Sequence, residues 1–358
     1  MGIVQTHIQI GDQDVRHFML TNQHGMVVEL MNWGATLVDV CTADRHGVIE
    51  SVTLAHEAID SYRENGPYLG CIVGRVAGRI AHGRFHLNGT DHQLPNNQGE
   101  HHLHGGASAM SHQVWQVGAV GESEQGLSVT FHYRSVADEN AYPGTLDVTV
   151  TYTLNDDNQL TVDYQANTDA PTLCNLTHHA YFNLSGNTQR TVHDHVLQVQ
   201  AGAVCEMDAD LLVTGGEWPV ANSDFDFCAP RPLDATLRSD DVRLALARGI
   251  DHYFVLDDVT AHQPQVVVLD GLSGRRLQVF TDQPCVVLYA HNYAGNEALR
   301  HGVVGQSHDA LCIETQKLPH RSASNGDHAA ALYPNQTYRQ HTRFCFDVCD
   351  HGAHEARV

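Results

Sequence analysis

His178 and His179 stand side by side in the stretch NLTHHAYFNL, residues 175–184, and a second knot, HHLHGG, sets His101, His102 and His104 before two glycines. Imidazoles bind metals and move protons near neutrality, so both stretches are candidates for chemistry. Zinc centres carry recognisable spacing: HExxH, paired CxxC, or a Cys/His array. None occurs here. Neighbouring side chains on a strand point to opposite faces, which leaves His178 and His179 badly placed to share one ion. With 27 His against 20 Lys+Arg in 358 residues, clustering needs no function to explain it. The spacing predicts no metal centre.

Carboxylates and arginines come next. LCIETQKLP sets Glu314 directly after an apolar run. At the end of a core strand such a carboxylate is partly shielded, and burial makes it a stronger base; a surface Glu at a strand end is the plainer alternative. RGIDHYFVL puts Asp251 and His252 before another apolar run, where Asp251 either ends a turn or faces a site. GCIVGRVAGRIAHG spaces Gly70, Gly74 and Gly78 evenly and sets Arg75 and Arg79 beside two of them. It lacks the GK[ST] of a P-loop and the GxGxxG of a dinucleotide fold. The glycines read as bends or close approaches in a strand-rich stretch, with an arginine presented to a ligand as the functional alternative. No GxSxG elbow marks a serine nucleophile, and no cysteine has the surroundings of an activated thiolate. Together these residues are the ingredients of a polar sugar-binding cleft with an acid–base pair.

The elements that must hold them read as strands. In LDVTVTYTL, Leu146, Val148, Val150, Tyr152 and Leu154 alternate with polar residues; Asn155–Asn158 is turn chemistry, and Leu160, Val162 and Tyr164 resume the alternation. This predicts a long hairpin with one buried face. Similar runs recur as MVVEL, ATLVDVCT, ESVTLA, LSVTFHYR, HVLQVQ, HYFVLDD, QVVVLD, RLQVF and CVVLYA. Helical periodicity is weak, with Asp240–Gly249 the best short candidate. Many short strands with frequent turns predict an all-β antiparallel sandwich or barrel. There is no internal repeat and no linker, so residues 1–358 are expected to form a single domain with a polar tail from about 350.

Composition narrows the partners. Forty-two acidic residues against twenty basic ones give a formal charge of −22, which disfavours nucleic acid and anionic membrane. No window resembles a signal peptide or an apolar span. Nine scattered cysteines without a CxxC pair suggest reduced thiols and a cytoplasmic location.

VGRVAGRIAHGRF, LHGG, NLTHHAYFNL, GIDHYFVL, YAHN and ETQKLP occur in the order and spacing of the aldose 1-epimerases, or galactose mutarotases, and the resemblance runs from about Gly34 to Phe346. It implies a large antiparallel β-sandwich, the galactose mutarotase-like supersandwich, with an open sugar-binding cleft. It also implies cofactor-free interconversion of the α and β anomers of free aldohexoses such as galactose and glucose. Residue by residue, it assigns Glu314 as general base and His179, rather than His178, as the catalytic histidine. Arg79, His104, Tyr181 and Asp251 are assigned as substrate-binding groups. The chain departs from the family pattern at Gly78 and His178, where Asn is frequent, at Ala109-Met110 after LHGG, and at Val287, where Gln is common. These departures bear on which hydroxyls are read.

The chemistry fits those assignments. Opening a hemiacetal needs a base at the C1 hydroxyl and an acid at the ring oxygen. Glu314 suits the first and a protonated His179 the second, with an acid limb of the rate profile then due to Glu314 and an alkaline limb to His179. Both protons return on closure, so neither cofactor nor metal is expected, and the partner is a small sugar, bound by a monomer or a homodimer. An epimerase of hexose 6-phosphates is the nearest rival, kept open by Arg75, Arg79 and Arg84. A non-catalytic carbohydrate-binding sandwich is the rival from another class.

Overall fold

The computed structural model describes residues 2–257, 263–319 and 326–349; the tail expected from about residue 350 lies outside them. Three antiparallel sheets carry the architecture. Five strands from Gly2–Ile10 to Ile49–Ser51 pair in chain order. A nine-stranded sheet runs from Gln116–Ser123 at one edge, through Leu146–Leu154, Gln159–Thr168 and Tyr338–Val348, to Arg231–Pro232 at the other. The six-stranded sheet orders Tyr181–Phe182, Leu311–Gln316, Cys285–Tyr289, Asp251–Leu256, Ala201–Met207 and Val213–Pro219.

The expected hairpin is present, with Leu146 opposite Thr168 and Leu154 opposite Leu160. Its turn closes because the Asn155 side chain accepts from the backbone of Asp157 and Gln159 at 3.0 and 2.9 Å, as turn asparagines do. The inward residues Val148, Val150 and Tyr152 join one apolar cluster with Phe18, Leu20 and Val28 of the five-stranded sheet. Phe254, Leu288 and Ile313 of the six-stranded sheet complete it. Removing these faces from water holds the sheets together, and the result is the all-β sandwich that the alternation predicts.

One local expectation needs correction. ESVTLA does not stay a strand beyond Ser51. The Ser51 and Thr53 hydroxyls both donate to Asp39, at 2.5 and 2.8 Å, and such side-chain bonds compete with ladder pairing. The helix within Asp240–Gly249 is short, Val242–Leu246, capped by the Asp241 carboxylate accepting from Arg243 N at 2.9 Å.

The six-stranded sheet matters most for function. Its alternate residues Phe254, Leu288 and Ile313 face the apolar core. The residues between them, including Asp251, Tyr253, Tyr289 and Glu314, line a cavity on the opposite face. One period-two pattern thus serves two purposes.

Candidate active site

The cavity has a volume of about 320 Å³ and is lined by Arg79, His104, His179, Tyr181, Asp251 and Glu314, all six expected site residues. The floor is a grid set by sheet register. Tyr253 pairs with Val287, and Val287 with Glu314; in the next row Asp251 pairs with Tyr289, and Tyr289 with Cys312. Glu314 lies near the end of its strand, as its apolar run suggests. It lies inside Leu311–Gln316, which is covered on both faces, and is only 4% exposed. Burial raises its carboxyl well above the usual value; the Asp251 charge adds to the rise and Arg79 opposes it.

His179 follows the short strand Thr177–His178. Its backbone is clamped by Gly70 N donating to its carbonyl and its own N–H donating to Cys71 O, at 2.9 and 3.0 Å. Its Nε2 lies 3.5 Å from Oε1 of Glu314, and its Nδ1 lies 3.7 Å from the Cys312 thiol. Residues 312 and 314 share one face of their strand, so one strand contacts both ring nitrogens. An imidazole titrating near neutrality was expected here. Burial instead pulls His179 down to about 4, because its charged form loses water. His178 points the other way, into the apolar core, with ring centroids 6.1 Å from Tyr152 and 6.0 Å from Phe344. It is also held neutral by burial, at about 3.

The other three histidine-knot residues separate. His102 is fully buried, its Nδ1 3 Å or less from Pro95 O and its Nε2 2.9 Å from the Tyr142 hydroxyl. His101 lies 3.8 Å from Asp210, outside the cavity. Only His104 enters it. Its Nδ1 accepts from Gly78 N at 3.2 Å, which leaves the hydrogen on Nε2 as a donor. Burial and the nearby His179 and Arg79 keep it neutral, well below the usual histidine range. The glycines of LHGG have a steric reason: a Cβ on Gly105 would lie 1.9 Å from Gly74 O.

Arg75 and Arg79 also part company. Arg75 is buried and spends its guanidinium on Ser135, Val136, Pro143, Gly144 and Thr172 at 2.9–3.0 Å, a structural post. Arg79 enters the cavity, steadied by Gln98 Oε1 at 2.7 Å. Asp251 is raised by burial and held back by Arg79. Tyr181 packs its ring 5.1 Å from His179, while its hydroxyl donates to Pro67 O at 2.7 Å. Its hydroxyl hydrogen is therefore committed to the loop rather than to a ligand.

The cavity includes residues that the motifs did not single out. Tyr253 and Gln316 lie two positions from Asp251 and Glu314 on the same strands; period two from each expected residue could have found them. Tyr68, 4.9 Å from the His104 ring, and Gln98 come from loops, where no local pattern announces them. Among the described residues no three His, Cys, Asp or Glu side chains converge as a metal cage, and no disulfide joins the cysteines.

Comparison with known proteins agrees with this geometry. The family model described as aldose 1-epimerase matches residues 16–345. Galactose mutarotase of Mus musculus is 34% identical over 339 residues, 94% of this chain and 96% of that protein. Aldose 1-epimerase of Haemophilus influenzae is 33% identical over 84% of this chain and 86% of its own length. The crystal structure of galactose 1-epimerase from Lactobacillus acidophilus superposes with a TM-score of 0.84 at 29% identity, covering 97% of this chain and 98% of that one. The chain therefore belongs to the aldose 1-epimerase family, isomerases that interconvert the anomers of aldoses.

Proposed function

We propose that this chain interconverts the α and β anomers of free aldohexoses, galactose and glucose, with Glu314 as base and His179 as acid. The observation that carries the reading is the 3.5 Å approach of Glu314 to His179 Nε2 on the floor of the cavity. The pair is buried, and its members are shifted toward their neutral forms. It holds one exchangeable proton, on the carboxyl or on the imidazole. The imidazolium–carboxylate form is the working one. Glu314 takes the proton of the C1 hydroxyl while His179 gives its proton to the ring oxygen. The C1–O5 bond breaks, O1 becomes the aldehyde oxygen, and C1 turns about C1–C2. Closure on the other face returns the O5 proton to His179 and the Glu314 proton to O1, so nothing is consumed and the pair ends with its one proton.

Arg79, His104 and Asp251 hold the ring hydroxyls in this reading. The arginine and the Nε2–H of His104 donate, and Asp251 accepts. Tyr181 supplies a ring wall and anchors the loop at Pro67. Among the described residues the cavity lining carries one arginine, Arg79, against the carboxylates Asp251, Glu297 and Glu314. Arg75 is committed elsewhere and Arg84 is absent from the lining. That balance favours a neutral sugar over a hexose 6-phosphate, whose dianion calls for clustered cations. A single domain working in the cytoplasm, as monomer or homodimer, completes the proposal. One apolar cluster shared by the three sheets supports the first point, and nine cysteines unjoined by disulfides support the second.

Polarimetry of freshly dissolved α-D-galactose and α-D-glucose tests the reading. Protein-dependent acceleration of the drift to equilibrium is expected. Sugar binding without acceleration would make the chain a binding module.

A further inference from the structure

Among the tyrosines that line the cavity, the hydroxyls differ in their commitments. Tyr181 donates to Pro67 O at 2.7 Å, and the Tyr289 hydroxyl accepts from Tyr293 N at 3.2 Å. Tyr253 is only 5% exposed, yet its hydroxyl has no hydrogen-bond partner among the described residues; its surroundings are burial and the charges of Arg79, Asp251 and Glu314. The residue lines the cavity, so this hydroxyl is open to a bound ligand rather than spent on the fold.

The space this hydroxyl occupies is made by a second residue. Gly78 has a φ of +77°, and a Cβ built on it would lie 2.3 Å from the Tyr253 oxygen, with the next ring carbon at 3.4 Å. Any side chain at position 78 would collide with the phenol oxygen, and with little else of the ring. The third member is Val287, directly opposite Tyr253 in the sheet and between it and Glu314. Valine offers no hydrogen bond, so it neither ties up the Tyr253 hydroxyl nor competes for a ligand. Two strand spacings of about 4.8 Å separate Tyr253 from Glu314, room for a pyranose with its anomeric end at the carboxylate.

We propose that the Tyr253 hydroxyl is a specificity-determining group of this chain, hydrogen-bonding a ring hydroxyl on the pyranose edge remote from the anomeric carbon, and that Gly78 is glycine in order to admit it. This rests on the anomer-interconverting reading for the placement of the sugar. It also gives the departures at positions 78 and 287 one shared meaning. The polar reach that a side chain at position 78 would supply comes instead from the neighbouring strand, as a phenol that both donates and accepts. Burial raises the phenol far above neutrality, so it stays protonated and keeps both roles.

The test uses the full chain, galactose and its 2-, 3-, 4- and 6-deoxy analogues, with equilibrium binding by calorimetry and turnover by polarimetry. Wild-type protein is expected to bind one analogue about 10–100-fold more weakly than galactose, the scale of one neutral hydrogen bond lost at a buried partner. Tyr253→Phe should bind galactose weaker by a similar factor and lose its discrimination against that one analogue only, with kcat changed less than KM. Gly78→Ala should weaken galactose binding in the wild-type background. The loss should be clearly smaller in the Tyr253→Phe background, where the colliding oxygen is gone and only the strain of a side chain at the positive φ of position 78 remains. Unchanged galactose affinity in Tyr253→Phe, unchanged discrimination against every analogue, or additive losses in the double variant overturns the inference. Failure of the underlying reading looks different: wild-type protein that binds galactose but leaves the polarimetric drift unaccelerated.

Discussion

Replacing Glu314 by Gln removes a proton acceptor while keeping size and polarity, and the structure sets the scale of the loss. Burial, the largest cause, and the nearby His291 take His179 from 6.5 to about 4, which disfavours its imidazolium by roughly 3 kcal/mol. An ionised carboxylate at the 3.5 Å separation of the pair attracts that imidazolium by about 5 kcal/mol at an effective dielectric near 20. On the proposed reading the carboxylate does two things: it accepts the C1 hydroxyl proton, and it sustains the neighbouring acid that serves the ring oxygen. Loss of a general base is worth about 10²–10⁴ in rate, or roughly 3–5 kcal/mol of barrier. With the imidazolium also unsupported near neutrality, Glu314→Gln belongs at the upper end, a fall in kcat of about 10³–10⁴. The two effects act through one unit and do not multiply. KM should move little, since the amide still hydrogen-bonds the C1 hydroxyl. Polarimetric progress curves over a range of α-D-galactose concentrations separate the two constants, and a thermal melt checks folding. A folded variant whose kcat stays within tenfold of wild type would refute the assignment, and Asp251, the other carboxyl in the cavity that burial raises, would be the next base to examine.

His179→Asn should lower kcat at least 10²-fold with an unchanged melt, whereas His178→Asn, in the core between Tyr152 and Phe344, should cost about 1–3 kcal/mol of stability and little kcat; equal kinetic losses would overturn the distinction. The rate profile should be wide. Below about 4 the pair takes a second proton on His179 and has no base; its alkaline limb comes when the last proton leaves, at the raised carboxyl value of Glu314. This reverses the limbs expected from ordinary side-chain values, and an acid limb near 6.5 in wild type, carried by His179, would contradict it. Arg79→Leu should raise KM about tenfold or more with a smaller change in kcat, measured by the same progress curves; a pure kcat effect would place Arg79 in the chemical step. Hexose 6-phosphates should be turned over with a lower kcat/KM than galactose or glucose, and the opposite ranking in a direct competition would reinstate the phosphate reading.

What the sequence made legible follows from where its signals are local. The hairpin of residues 146–164 is visible because alternation and turn asparagines act within a few residues of one another. That His178 and His179 face opposite ways is visible for the same reason, since one peptide step in extended chain exchanges core for cavity; which of the two enters the cavity is what the family resemblance implies. The separation of Arg75 from Arg79 was not visible. Both follow a glycine in one stretch, and only the carbonyls of Pro143, Gly144, Ser135 and Val136, some sixty residues away, make Arg75 structural. Glu314 was legible in part. Its apolar run places it near the end of a strand and partly shielded, but not as deeply buried as it is, because the cover comes from strands far away in the chain. The proton balance was further from reach. An ordinary histidine value suggested an acid ready at neutrality, and only the three-dimensional burial of His179 and Glu314 together makes one shared proton the working state. The residue types could therefore be assigned to an acid and a base from the chain alone. How strongly each holds its proton is a property of the cavity, built by strands from distant parts of the sequence.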